Sequence, residues 1–338
     1  MNFFIKEPRC DSTEGMNKQM KKFFMQEFLL YSVYLAPRGN DRLMILGEEI
    51  SHRHLSINDR LIGIVGDAGS GKSSLIKGMF PGLELANHDT GMSPSKIMQI
   101  RDPLGSMDDA ATFHMDMRFQ TAFTQMHEIV TFVRTALVKR RRLIIEHFDL
   151  LYPHLDMNAE ILVGIGEEII IARPTVFGPT PKDIHDIVIP SAKYRRMAHT
   201  AEDITMLVIQ KEYGMPRSWE TTDVRKGFVM SFANPPDVST ADLDTLEARI
   251  KEIIAADLPV SYLNEEYIKI GDDNIKCAGP RIHVRSTGEI ENFRLMKEIF
   301  HDPMRGEYLL VGLIGGQGAN GDQVRDVGLS SLNKLNLF

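Results

Sequence analysis

Cysteine is nearly absent: 338 residues contain two, Cys10 and Cys277, far apart along the chain. That excludes a disulfide framework and fits a reducing cytoplasm. Tryptophan occurs once, as Trp219, and a lone tryptophan reads as a core residue rather than a base-stacking platform. No apolar run approaches the roughly 20 residues needed to span a bilayer. The opening stretch Met1–Pro8 has no long apolar segment behind a basic start, so it does not read as a signal peptide. An excess of positive charge is missing too. The formal net charge is −7, which argues against a bulk polyanion binder but leaves room for a local basic patch. The cluster Lys139-Arg140-Arg141-Arg142 first reads as favourable charge at a helix C-terminus, with an RNA contact as the alternative.

What is present is a globular composition, 43% hydrophobic and 25% charged, in a chain long enough for two domains or more. The most informative stretch is Gly66-Asp67-Ala68-Gly69-Ser70-Gly71-Lys72-Ser73, followed by Ser74. It is a complete G-x-x-x-x-G-K-S phosphate loop. It follows the apolar run Leu61-Ile62-Gly63-Ile64-Val65 and precedes a helix-like run, the strand–loop–helix setting that such a loop requires. The glycines let successive backbone N–H groups face an anion, and the helix N-terminus adds its dipole. Lys72 then reaches the β- and γ-phosphates, and the Ser73 hydroxyl binds Mg²⁺. An apolar run ending in acids, Leu143-Ile144-Ile145-Glu146-His147-Phe148-Asp149, has the form of a Walker B strand, with Glu146 or Asp149 on the metal side. A guanine-reading N/T-K-x-D element is lacking, so ATP is preferred over GTP. Asp102-Pro103-Leu104-Gly105 fits a D-x-x-G switch, but so short a pattern arises by chance.

Around this centre, residues 1–60 read as a mostly helical N-terminal extension, with Phe23, Phe24, Phe28, Leu29 and Tyr31 on one face and Gly47 as a C-cap. His52 and His54 read as a solvated pair, since histidines two apart do not share a helix face. Residues 61–190 read as the nucleotide domain, with 86–112 as a long loop, a strand at Phe113–Phe119 placing His114, Asp116 and Arg118 on one side, and a helix from about Thr121 to Lys139. Glu160–Ile165 and Glu168–Arg173 read as a helix or strand pair continuing the sheet, and Asp183–Lys193 as a helix into a new domain. Residues 191–338 form that domain and its tail, ending in a strand at Leu309–Ile314 and a glycine-rich linker.

In that second half, His199 and Asp203 stand at i and i+4 of a helix-like stretch and share a face. Cys277 and His283 follow much later. All four side chains are competent zinc ligands. His199-Thr200-Ala201, Cys277 and His283-Val284-Arg285-Ser286-Thr287-Gly288-Glu289-Ile290, with Gly227–Phe232 and Ile253–Val260 between them, resemble the second additional domain of alanyl-tRNA synthetase. The same domain occurs in free-standing alanyl-tRNA editing proteins and in threonyl-tRNA synthetase. The resemblance spans about residues 192–300, and the whole chain resembles bacterial proteins that join a phosphate-loop domain to this one. It implies an α+β fold, a zinc ion on an H-x-x-x-H and a C-x-x-x-H pair, and hydrolysis of wrongly charged tRNA. Carried over, His199, Cys277 and His283 match ligand positions. Asp203 stands where the family has histidine, and two extra residues separate Cys277 from His283. Thr287–Ile290 reads as a turn with Gly288 in a conformation closed to other residues.

Together these features give an α/β fold, a P-loop NTPase domain with a parallel sheet followed by the synthetase-like α+β domain. The expected cofactors are ATP and Mg²⁺, with Zn²⁺ as a further candidate. The expected function is an ATP-dependent protein linked to tRNA or aminoacyl-tRNA. One alternative is a kinase for a nucleoside-like or amino-acid-like molecule, with Arg195 and Arg196 on a lid. Another is a non-catalytic nucleotide-dependent switch. No membrane partner is expected, and the many apolar segments suit a homo-oligomer.

Overall fold

The computed structural model describes residues 31–83, 112–214, 219–236 and 240–316. Cys10, residues 1–30, the Asp102–Gly105 pattern, most of the expected 86–112 loop, the glycine-rich tail after Gly316 and the side chain of Trp219 lie outside that description.

The first half contains β1 (Tyr31–Leu35), α1 (Asn40–His54), β2 (Leu61–Gly66), α2 (Lys72–Met79), β3 (Thr112–Asp116), α3 (Met117–Gln120), α4 (Met126–Val138), β4 (Arg142–Glu146), α5 (Phe148–Leu151), β5 (Ile161–Ile165) and β6 (Glu168–Ala172). The strands form one mixed sheet in the order β1-β6-β5-β2-β4-β3. Strands β5, β2, β4 and β3 run parallel, while β6 and β1 close one edge antiparallel. Every residue of β2, β5 and β6 is buried, as continuous apolar strands covered on both faces must be. One face packs against Leu43, Ile50, Leu75, Ile76 and Met79 of α1 and α2. The other packs against α4 and α5, through Ile129, Phe132, Val133, Phe148 and Leu151. Each fully buried Ile or Leu is worth about 1.5–3 kcal/mol against exposure, so these two layers fix the sheet.

Several expectations are corrected here. Tyr31 begins a strand paired with β6 rather than a helical face. Gly47 does not end α1. It lies inside the helix, where a Cβ would stand 2.4 Å from the Leu75 carbonyl oxygen, and it is the close crossing with α2 that demands glycine. His54 is buried and takes a 2.7 Å hydrogen bond with the Tyr34 hydroxyl, because α1 turns that face to β1; His52 remains exposed. The helix expected from Thr121 starts at Met126 behind a Gln125/Glu128 capping box. It ends at Val138, and the basic run then turns back into β4, with Arg142 donating to the Asp59 and Ser56 carbonyls.

The second half begins with α6 (Pro181–Glu212), one helix of 32 residues where two segments were expected. Thr180 and Asp183 form its capping box. Pro190 removes an internal hydrogen bond, yet the helix continues because each half is held by a different core. Ile184 and Val188 pack into the six-stranded sheet, and Met197, Ala201, Ile204 and Val208 into the second core. There follow β7 (Trp219–Val224), β8 (Gly227–Phe232), α7 (Thr240–Ala255), β9 (Val260–Tyr262), β10 (Tyr267–Ile270), β11 (Asp273–Lys276), β12 (Arg294–Leu295), β13 (Phe300–Asp302) and β14 (Glu307–Leu313). They form two antiparallel sheets, β12-β14-β8-β7 with β13 on β14, and β11-β10-β9. Gly288 lies in a 3₁₀ turn over 287–289 and has no positive φ. Glycine is needed there because a Cβ would sit 2.4 Å from the Asp257 carboxylate.

Buried charge joins the two halves. Arg38, between β1 and α1, pairs with Glu202 of α6 at 2.7 Å and with Asp223 of β7 at 2.9 Å, and donates to the Gly227 carbonyl at 3.0 Å. Burial pushes the Glu202 carboxyl up, and Arg38 opposes that rise. Arg42 adds a second cation on Asp223 at 2.7 Å. Among the described residues, no helix is long and apolar enough to cross a membrane.

Candidate functional site

The G-x-x-x-x-G-K-S stretch lies where the sequence predicts, between β2 and α2. Gly69 and Gly71 take φ of +72° and +91°, a region that side-chain-bearing residues rarely adopt. Gly71 is also hemmed in, since a Cβ there would meet Leu43 at 2.5 Å. The parallel strands all point their C-terminal ends at this edge. β2 delivers the loop, β4 delivers Glu146, and β3 delivers Asp116.

Lys72 is 6% exposed. Its ammonium donates to the carbonyls of Asp67 (2.8 Å) and Gly66 (3.3 Å) and lies 3.7 Å from Glu146. Burial pulls the amine below its ordinary value, while Glu146 and Asp116 oppose the fall. The Ser73 hydroxyl donates to Glu146 at 3.4 Å, and His114 Nε2 lies 3.1 Å from the same oxygen. Burial would raise the Glu146 carboxyl, but the His114 hydrogen bond and Lys72 outweigh it and hold it low. Glu146 is thus an anion at neutral pH. Asp116, Glu146 and His147 each place a ligand atom within 4.8 Å of the others. Burial, followed by Lys72, pulls His147 down to about 4, so its imidazole is neutral. The Asp116 Oδ1 accepts the N–H groups of Arg118 and Phe119, which fixes that carboxylate.

The sequence offered Glu146 or Asp149 as the Walker B acid. Glu146 is the one beside Ser73, while Asp149 lies on α5 outside this cluster. Asp116 was visible only as part of an alternating strand. The signal for it is an apolar strand ending in an acid, repeated in the parallel neighbour of β4.

The tetrad expected from the second half assembles as well. His199 and Asp203 come from successive turns of α6, and Cys277 and His283 from the loop after β11. Their ligand atoms all lie within 4.8 Å of one another. Cys277 Sγ is 3.1 Å from His199 Nε2 and 3.7 Å from His283 Nε2, and His283 Nε2 is 2.8 Å from Asp203 Oδ2. A tetrahedral zinc site with bonds of 2.0–2.3 Å has edges of about 3.3–3.8 Å, so these separations fit the ion with small adjustments. Supporting bonds are present. Gly279 N–H points at the Cys277 sulfur at 3.3 Å, and His283 Nδ1 is 3.1 Å from the Pro280 carbonyl, the outer contacts that orient ligands. His199, Asp203 and Cys277 are buried and His283 half-buried. Without an ion, burial and the nearby Asp203 push the Cys277 thiol up, and burial with His283 drives His199 well down. A divalent cation would reverse that logic for the thiol, since zinc ligation favours the thiolate.

Arg195 and Arg196 are not on a lid. They sit inside α6, one turn before His199. Arg195 is 3% exposed and donates to the carbonyl of Ser70 at 2.6 Å and to that of Pro37. Burial pulls its guanidinium down to about 9, with Asp223 opposing, so it remains charged at neutral pH. Arg196 pairs with Asp67 at 2.5 Å.

Compared with models of known protein families and with curated proteins, the chain matches none.

Proposed function

We propose that this chain binds ATP·Mg²⁺ at residues 66–74 and transfers or hydrolyses the terminal phosphoryl group there. The observation that carries this reading is the convergence of Lys72, Ser73, Asp116 and Glu146 on the edge where four parallel strands end. The loop amides and the α2 N-terminus hold the phosphates. Lys72 exchanges its two loop carbonyls for phosphate oxygens. Ser73 and Glu146 suit Mg²⁺, whose chemistry is charge neutralisation on the phosphates. Asp116, fixed beside Glu146, is placed to orient an attacking hydroxyl or water and accept its proton. Positioning and electrostatics do the rest.

In the second domain the donor set fits zinc, held by His199, Asp203, Cys277 and His283. Four protein ligands with little exposure make a closed site, the pattern of structural rather than hydrolytic zinc. That favours an acceptor-binding or bracing role for this domain over hydrolysis of misacylated tRNA. What supports a tRNA link is the resemblance of residues 192–300 to the synthetase editing domain, and the two readings separate experimentally. ATP turnover is measured alone, with bulk tRNA, and with nucleosides or amino-acid derivatives. Stimulation by tRNA supports the tRNA-linked reading, and stimulation by a small acceptor supports the kinase reading. Nucleotide binding without turnover supports the switch, and no nucleotide binding sinks the proposal.

A further inference from the structure

The phosphate loop and the tetrad are separate sites, but the same two segments wall both of them. The first is α6. Arg195 grips the Ser70 carbonyl at 2.6 Å, and Arg196 reaches the Asp67 carboxylate at 2.5 Å and the Ala68 carbonyl at 3.4 Å. One and two turns further on, the same helix carries His199 and Asp203. The second is residues 277–283. Cys277 and His283 stand at its ends, and between them the Arg281 carbonyl lies so near Gly69 that a Cβ there would meet it at 2.9 Å. The Ala278 carbonyl accepts the Asn40 N–H at 3.3 Å, and the Asn40 side chain accepts the hydroxyl of Ser74 at 3.2 Å. The phosphate loop is therefore gripped from two sides by the segments that a tetrad ion would join.

Three buried polar atoms have no hydrogen-bond partner along this line: Ser70 Oγ in the loop, Arg195 Nε, and His199 Nδ1 one turn on. Buried polar groups are rarely left so, and these three lie on the loop, on α6 and on the tetrad itself.

We infer that zinc at the tetrad and nucleotide at the phosphate loop bind with positive linkage, each tightening the other. The inference rests on reading the tetrad as a zinc site. α6 and residues 277–283 meet through the His283–Asp203 and Cys277–His199 contacts. An ion held by all four side chains would fix both segments, so that the Arg195, Arg196 and Arg281 contacts hold the loop in one geometry. Nucleotide then spends less of its binding free energy on ordering the loop. Linkage makes the effect reciprocal.

The test is calorimetric titration of Mg·ADP into the full chain, zinc-loaded and zinc-stripped, with circular dichroism to follow the fold. A second arm starts only from folded, zinc-loaded protein and measures zinc affinity by chelator competition, with and without saturating Mg·ADP. The expected result is a roughly tenfold change in each direction, inside the usual range for coupled sites. Arg195→Met, close in volume, should keep one zinc per chain and shrink the linkage. Zinc bound at one per chain with equal nucleotide affinity in both forms and equal chelator competition would overturn the inference while leaving the zinc site standing. Full linkage in Arg195→Met would overturn the Arg195 contact as its carrier and leave the Arg196 and Arg281 contacts to carry it. Failure to take up zinc would remove the reading of the tetrad itself, and the linkage with it.

Discussion

The phosphate loop is made of consecutive residues at one strand–helix junction, whereas the tetrad takes two ligands from α6 and two from a loop far along the chain. The tetrad needs the second core closed, because Cys277 itself lies in that core. The two also differ in electrostatics. The loop keeps a buried cation, Lys72, tied to two carbonyls and ready for an anion. The tetrad keeps a buried carboxylate and a neutral thiol ready for a cation. Both sites are largely buried: Lys72 is 6% and Glu146 2% exposed, and three of the four tetrad residues are buried. Their closeness depends on a few buried arginines.

The largest effect is therefore expected at the junction. Arg38→Leu strands Glu202 and removes one of the two cations on Asp223. Breaking a buried pair costs about 3–5 kcal/mol; the wild type should melt in one transition in calorimetry, and in the variant that transition should split or shift down sharply. If the two halves still melt together at the wild-type temperature, the buried pairs do not join them. Next is the tetrad. At zinc a thousandfold above its dissociation constant, binding should raise stability by about 4 kcal/mol, and Cys277→Ala should lose most of that gain. A melt insensitive to zinc in the wild type would contradict the fit.

Gly69→Ala tests the contact between the sites from the loop side. It forces a side chain into φ +72° against the Arg281 carbonyl, for a cost of about 1–3 kcal/mol. Nucleotide affinity should fall in titration while zinc stoichiometry holds. The smallest effect belongs to Arg196→Gln. That ion pair is partly solvated and worth at most about 1 kcal/mol. Burial would raise the Asp67 carboxyl, but the Arg196 hydrogen bond, the Ala68 N–H and the Arg196 and Arg118 charges together hold it below its ordinary value. A carboxyl lowered on folding contributes stability that is present above its unfolded value and is lost as pH falls through the folded one. The gap between wild type and variant should be constant near neutrality and vanish at acid pH; a gap independent of pH would assign it to packing.

The same contrast explains what the sequence made legible. The strand–loop–helix around residues 66–73 is readable because spacing, strand and helix all fall within a short window. β2 and β4 are readable because strands buried on both faces are continuous apolar runs; β5 and β6, equally apolar, left helix and strand open, since such a run alone does not separate the two. The ligand quartet is readable only as residue types, since nothing local says that the loop after β11 returns to α6. Gly47 and Gly288 mislead for one reason: glycine at a close approach looks like glycine at a cap or turn until the neighbour is known. The unbroken α6 was hidden by Pro190, because packing on both flanks overrides a local breaker. Arg38 and Arg195 carry no pattern at all, as their partners lie far off in sequence.

The central claim is that the loop between β2 and α2 is a working nucleotide site beside a separate metal site. The most direct measurement is Mg·ATP titration of zinc-loaded wild type and Lys72→Ala, with zinc content read on the same samples. The account predicts one nucleotide per chain in the wild type, a loss of about 30-fold or more in affinity in the variant, and the same zinc content in both. Equal nucleotide affinity in the two proteins, or none in the wild type, would contradict it.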